Sequence, residues 1–339
     1  MTDPHTAKPR LTKDNLTSLQ THILAEEQEY PGATGDFSWI LSAITLAGKA
    51  IANKVRRAGI EDVLGSLGTQ NITGDTQQKL DVISNEIIMR CLGDRANVGV
   101  LASEEGDTPV ILRSSAEGGH YAVIFDPLDG SSNLDVSVGV GTIFSILRTA
   151  DLKSEAPEDL ILQPGTLQVA AGYVLYGSSV VCMLTTGHGV DMFVLDQSIG
   201  AFVLVKPKLT IPSTKKIYSI NEAYYDDFPD GYQRYLNWAH ANGYSGRYIG
   251  SMVADIHRTL LMGGVFMYPP TKAHPQGKLR LMYEANPMAM IVEQAGGKAL
   301  AEKQRILEIQ PTGLHQRTSV LIGSPAEVDH VLEHLGSDS

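Results

Sequence analysis

The sequence predicts a mixed α/β protein of the α+β kind, with helices and mixed sheets layered across two domains. Three observations carry this. Over roughly the first 90 residues apolar positions recur at helical spacing, whereas from residue 98 to 205 short apolar runs punctuated by glycine dominate. Helices and strands do not alternate regularly, as a single doubly wound parallel sheet would require. The chain has 339 residues, enough for two domains or one large one.

In order along the chain, Leu11 to Gln28 reads as a first helix, stopped by Tyr30-Pro31-Gly32. Ile40, Leu41, Ile44, Ala47, Ile51 and Val55 then put one apolar face on a long helix that ends near Gly59. Gly65 to Gly74 is glycine-rich and polar and is expected to be a mobile loop. Asp75 is placed as the cap of a helix burying Leu80, Ile83, Ile87 and Cys91. Strands are expected at Val98 to Leu101, at Tyr121 to Phe125 with its end at Asp126, at Thr142 to Leu147, Leu167 to Tyr176, Val180 to Thr185, and Phe202 to Val205. Lys206-Pro207-Lys208 reads as the passage between domains, which sets the first at 11–208 and the second at 209–336. The second domain is expected to begin its structure near Ile217, with helices at Gln233 to His240, Val253 to Leu261 and Glu284 to Ala295. No internal repeat or low-complexity segment is present.

Composition narrows the function classes. With 43% hydrophobic and 19% charged residues the chain is neither disordered nor membrane-spanning in character. A formal charge of −11 offers no basic footprint for nucleic acid, and an anionic substrate on such a protein would need metal ions. Cys91 and Cys182 make no disulfide framework and suit a reducing compartment. Met1 to Arg10 has no apolar core of a secretory signal, and Gly336 to Ser339 is not the Ser-Lys-Leu peroxisomal address. The expected location is cytoplasmic, with a peroxisome-like organelle left open for a trimmed C-terminus.

The chemistry gathers at Phe125-Asp126-Pro127-Leu128-Asp129-Gly130-Ser131-Ser132-Asn133. Two carboxylates and the Leu128 carbonyl at one strand end suit a hard divalent cation, while Gly130 and the hydroxyls lead into a helix start that favours phosphate. Asp75, Asp81, Glu104, Glu105 and Glu284 also stand at element ends beside apolar segments. Carboxylates brought to one place repel, so such a set implies a metal cluster or general-acid work. Plainer readings stand beside these: an Asp-Pro turn, a solvated Glu104-Glu105 pair, and Asp75 as a simple cap.

These motifs are joined by Asn71-Ile72-Thr73-Gly74-Asp75, Lys79-Leu80-Asp81-Val82, Ser219-Ile220-Asn221-Glu222, Arg247 through Asp255, and Gly277-Lys278-Leu279-Arg280 through Asn286-Pro287-Met288. Together they resemble class I fructose-1,6-bisphosphatase over about Leu11 to Leu335. Asp-Pro-Leu-Asp-Gly-Ser alone would indicate only the wider group that includes inositol monophosphatases; the second-half motifs narrow it. The resemblance implies a layered αβαβα sugar-phosphatase fold and Mg²⁺-dependent hydrolysis of the 1-phosphate of fructose 1,6-bisphosphate. It implies two to three Mg²⁺ ions, with Mn²⁺ able to substitute. Asp126, Asp129 and Glu284 would hold one; Glu104, Asp126 and the Leu128 carbonyl a second; Asp75 and Glu104 a third. Asp75, Asp81 and Glu105 form the implied catalytic group, the last two taking the proton from the attacking water.

The same resemblance places Asn221, Tyr224, Arg247, Tyr248 and Tyr268 at the far phosphate, Lys278 at the sugar and Arg280 near the scissile phosphate. Gly130, Ser131, Ser132, Gly250, Ser251 and Met252 complete the substrate contacts. Arg247 would reach in from a neighbouring subunit of a homotetramer. An AMP inhibitor site is implied at Thr34, Gly35, Asp36, Phe37 and Ser38 with His120, Tyr121 and Arg148; here His120 stands where the family carries lysine. Sedoheptulose-1,7-bisphosphatase, a dual sugar bisphosphatase and a non-enzymatic AMP-sensing protein of this fold are the alternatives.

Overall fold

The apolar runs of the first half pair into one eight-stranded sheet. The computed structural model describes residues 16–29, 36–61, 63–70, 76–150 and 156–336. Across the sheet the order is Ala201–Lys206, Asp191–Asp196, Val180–Thr185, Gln168–Tyr176, Val140–Arg148, Tyr121–Asp129, Val98–Ser103 and Val110–Ile111. Neighbours run antiparallel except Val98–Ser103 beside Tyr121–Asp129, which are parallel. Most strands therefore follow their sequence neighbours through short turns, as glycine punctuation allows. The second sheet has six strands in the order Ser245–Gly246, Ile217–Ser219, Val265–Tyr268, Val320–Gly323, Lys298–Ala301 and Gln304–Arg305, with parallel and antiparallel pairs mixed.

Side-chain alternation decides what covers each face. Val123, Phe125, Phe144 and Val174 point to one side of the large sheet, where Ile40, Leu41 and Ile44 of Asp36–Arg57 and Leu80, Ile88 and Leu92 of Lys79–Gly93 cover them. Ile143, Ala171, Tyr173 and Met183 point the other way, onto Val253 and Ile256 of Met252–Met262 and Met288 and Ile291 of Asn286–Gln294. Those two helices also pack on Phe266 and Ile322 of the second sheet. The opposite face of that sheet, with Val265, Met267 and Leu321, is closed by Tyr232, Tyr235 and Leu236 of Asp230–Ala241 and Val328 and Val331 of Pro325–Leu335. The result is helix, sheet, helix, sheet, helix, as expected for an αβαβα protein. Among the described residues no helix is long and apolar enough to cross a membrane.

Local departures from expectation have physical causes. The first helix spans Leu19–Glu29 rather than starting at Leu11. Ser18 forms a β-bridge with Val203 and its Oγ accepts Thr21 N–H at 3.2 Å, so the chain is extended until that cap; residues 11–15 lie outside the described part. The expected loop from Gly65 is a strand, Ser66–Gln70, paired with Thr76–Gln78. The following helix starts at Lys79 after Gln78, not at Asp75, because Asp81 Oδ2 accepts Gln78 N–H at 2.9 Å and closes its first turn. Asp75 lies outside the described residues. Asp191–Asp196, the strands of the second sheet, Ile217–Ser219 among them, and the helix Pro325–Leu335 were not anticipated. Runs of four residues or fewer carry too little periodicity to be told from loops.

Candidate active site

The strand Tyr121–Asp129 does not end at Asp126. Asp126 faces Ile143 and Asp129 faces Gly141, so three steps on one strand oppose two on the other, a β-bulge. Pro127 has no N–H for the ladder, and the bulge is where a sheet tolerates it. Asp126 Oδ1 accepts Leu128 N–H at 2.9 Å, and Thr142 Oγ1 donates to the Pro127 carbonyl at 2.8 Å. The Asp-Pro turn and the strand thus coexist, and the bulge aims Asp126 and Asp129 toward the same cleft. Gly130, at φ 75°, turns the chain into the 3₁₀ segment Ser131–Val136; a Cβ there would lie 2.7 Å from Ser251 Oγ.

Glu284 arrives from the second half on a π-turn, Leu281–Ala285, just before Asn286–Gln294. Such turns re-aim side chains that a regular helix would direct elsewhere. Its Oε2 accepts Arg280 N–H. Ligand oxygens of Asp126, Asp129 and Glu284 lie within 4.8 Å of one another, and all three residues are buried. Burial, then the charges of Glu104, Asp129 and Glu284, push Asp126 well above the usual carboxylate range. Glu284 is raised well above it by burial and then by Glu104 and Asp129. Asp129 is pushed up to about 6 by burial, against the favourable Val253 N–H at 2.8 Å. Three buried, mutually repelling oxygen donors fit a hard divalent cation, which would relieve that repulsion.

Asp81 stands on the rim of the cluster. Its Oδ2 accepts Gln78 N–H and Ser131 Oγ–H, while its buried Oδ1 has no hydrogen-bond partner among the described residues. Burial, with Glu105 nearby, pushes it up to about 7. Glu104 follows the strand Val98–Ser103, its N–H on the Phe125 carbonyl at 3.1 Å and its Oε1 3.8 Å from Nε of the buried Arg280. A cleft of about 400 Å³ is lined by Asp81, Glu104, Glu105, Asp126, Leu128, Asp129, Gly130, Ser131, Ser132, Tyr248, Gly250, Ser251, Met252, Tyr268, Lys278, Arg280 and Glu284. Asn221 and Tyr224 instead line an adjoining cavity of about 150 Å³, which shares Tyr268 and Lys278 with the cleft. Arg247 lies outside both linings, exposed, with Nη1 on the Gly246 carbonyl at 2.7 Å.

Gln78, Asp255 and Arg317 line the cleft without having been assigned a role. Asp255 had a readable signal, a carboxylate inside the apolar run Met252-Val253-Ala254-Asp255-Ile256. For Arg317 there was none. Of the residues assigned to AMP, Thr34 and Gly35 lie outside the described residues, as does the Asp36 side chain. Phe37 packs on Tyr121 with ring centroids 6.2 Å apart, and Tyr121 pairs with Arg148 across the sheet. Ser38 Oγ donates to Glu27 Oε1, and His120 N–H bonds the Asn97 carbonyl at 3.0 Å.

Residues 17–207 match the family model described as fructose-1-6-bisphosphatase, N-terminal domain, and residues 211–336 the one described as its C-terminal domain. The chain belongs to the fructose-1,6-bisphosphatase family. Among its relatives, the class 1 fructose-1,6-bisphosphatase of Chlorobium luteolum is 50% identical over 323 residues, 92% of this chain and 96% of that protein. The Chlorobium chlorochromatii enzyme of the same name is 49% identical over 93% and 96% respectively. The crystal structure of Leishmania major fructose-1,6-bisphosphatase in holo form aligns with a TM-score of 0.89 at 46% identity, covering 94% of this chain and 99% of that one. Family membership and the bulged carboxylate cleft point to the same chemistry by separate routes.

Proposed function

We propose that the protein hydrolyses the 1-phosphate of fructose 1,6-bisphosphate with Mg²⁺ as its metal and AMP as its inhibitor. The observation that carries the reading is the continuity of an anionic metal-binding cleft, built on Asp126, Asp129 and Glu284, with a neighbouring cavity of amide and phenol donors reached past Tyr268 and Lys278. One end suits a reacting phosphate and the other a second phosphate held without reaction.

Asp126, Asp129, Glu284, Glu104 and the Leu128 carbonyl would hold the ions, with Asp75 as a further ligand. When bound, divalent cations neutralise the phosphoryl oxygens and stabilise the leaving alkoxide. Arg280, buried beside Glu104, places a fixed positive charge at the scissile phosphate. Asp81, its buried Oδ1 without a hydrogen-bond partner among the described residues and Glu105 beside it, accepts the proton of the attacking water. Lys278 spans the sugar between the two cavities. Tyr248 joins Asn221, Tyr224 and Tyr268 around the far phosphate, and Arg247 supplies its charge from a neighbouring subunit of a homotetramer. Phe37, Ser38, Tyr121, Arg148 and His120 form the described part of the AMP site. The full chain with Mg²⁺ is expected to release phosphate from fructose 1,6-bisphosphate and to slow when AMP is added. No release would remove the enzyme reading, and release indifferent to AMP would remove the inhibitor site alone.

A further inference from the structure

One buried carboxylate of the cleft belongs to neither the metal set nor the proton-accepting pair. Asp255, in the first turn of Met252–Met262, is 1% exposed. Its Oδ1 accepts Ser219 Oγ–H at 2.6 Å and Ile249 N–H at 3.0 Å; its Oδ2 accepts Gly250 N–H at 3.0 Å and Ile249 N–H at 3.2 Å. Gly250, at φ 87°, turns these successive N–H groups onto one carboxylate. On the far side of the same loop, Ser251 Oγ and Val253 N–H reach Asp129 Oδ2 at 3.5 and 2.8 Å. The loop is therefore clamped between two buried carboxylates, one in the metal set and one outside it.

The clamp has two further attachments. Ser219 ends the strand Ile217–Ser219 and stands two residues before Asn221, while Tyr248 immediately precedes Ile249. The Gly250 carbonyl accepts Asn133 Nδ2–H at 2.9 Å from the segment that follows the bulge. One carboxylate thus sets the spacing between Asn221 and Tyr248 on one side and Asp129 on the other.

We infer that Asp255 is a positioning residue for the substrate's far phosphate, holding Tyr248 and Asn221 in register with the metal-binding carboxylates. This rests on the bisphosphatase reading above. An amide cannot replace the carboxylate: whichever side its NH₂ takes, it meets a backbone N–H that has no lone pair to offer. A residue that merely stabilised the fold would affect both ends of the site alike.

The experiment uses the full chain as wild type and as Asp255→Asn, with fructose 6-phosphate as the probe of the far-phosphate end. Calorimetry is expected to show fructose 6-phosphate bound about 10-fold more weakly by Asp255→Asn, and KM for fructose 1,6-bisphosphate to rise by about the same factor while kcat falls by about 3-fold or less. Binding within 2-fold of wild type, or a loss confined to kcat, overturns the inference. If Asp255→Asn does not fold, Ser219→Ala, which keeps both loop N–H contacts, is expected to bind the probe about 3-fold more weakly, and unchanged binding overturns the inference there too. A wild type that neither binds the probe nor turns over the bisphosphate sinks the underlying reading, whereas a competent wild type with an unaffected Asp255→Asn sinks only the role of Asp255.

Discussion

At the scale of single residues, the buried carboxylates are arranged against their own stability. Asp129 titrates at about 6 in the fold and Asp81 at about 7, against roughly 4 in an unfolded chain. A raised folded pKa favours the protonated form, so the stability it contributes is present below about pH 4 and lost as pH rises toward 6 to 7. Glu284→Gln keeps an oxygen for Arg280 N–H but removes one of the repelling charges. It is expected to lower kcat by at least about 100-fold and, in chelator at pH 8, to raise the melting temperature by a few degrees. Phosphate release and a thermal melt check the two halves. For Asp81 as proton acceptor, kcat/KM is expected to rise with pH through about 7, and the rise to move to lower pH as Mg²⁺ is increased; a profile flat from pH 5.5 to 8 removes Asp81 from that role. Asp126 and Asp129 were legible because the turn between them names its own chemistry. Glu284 was placed with them by resemblance alone, since spacing cannot bring together residues so distant in sequence.

At the scale of elements, the bulge in Tyr121–Asp129 does what an ordinary strand cannot. Without the extra residue, Asp126 and Asp129 would fall on opposite faces of the sheet. Gly130 completes the turn at φ 75° with no room for a side chain, so Gly130→Ala is expected to cost about 1–3 kcal/mol and to displace Ser251 from Asp129. Urea unfolding measures the first effect, and a fall of at least about 10-fold in kcat the second. Long helices such as Asp36–Arg57 were legible because more than five turns of 3.6-residue periodicity leave little ambiguity. Ser66–Gln70 was hidden by Gly68 and by Gly65 just before it, and the extended start at Ser18 by a helical pattern that runs through its cap. Helix Pro325–Leu335 did carry a start signal, proline at its first position after Ser324, in a stretch where the acidic and apolar residues are closely mixed.

At the scale of the molecule, two kinds of periodicity indicated layered helices and sheets and the resemblance implied the five layers, whereas the order of strands in the second sheet followed from neither, because crossovers leave no local trace in sequence. Arg247, exposed and outside the cleft, makes the proposed tetramer testable through activity. Subunits carrying Arg247→Ala and subunits carrying Glu284→Gln are each expected to be weak alone. After exchange in a 1:1 mixture, sites with an intact Glu284 facing a neighbour with an intact Arg247 should return up to about a quarter of wild-type turnover. No recovery despite demonstrated exchange would place Arg247 in its own site. The bridge from Ser18 to Val203 has a consequence for biosynthesis. Thr17 and Ser18 meet the edge strand Ala201–Lys206, His22 meets Asp191 at 169 residues' separation, and Glu26 meets Lys208 at 182. A ribosome adding about 5–20 residues per second delivers those partners roughly ten seconds or more after the first helix emerges. Until then that helix can meet only its neighbour Asp36–Arg57, and the sheet edge it will cover does not yet exist, so the segment leading to the proposed AMP site is among the first made and waits long for its full set of partners.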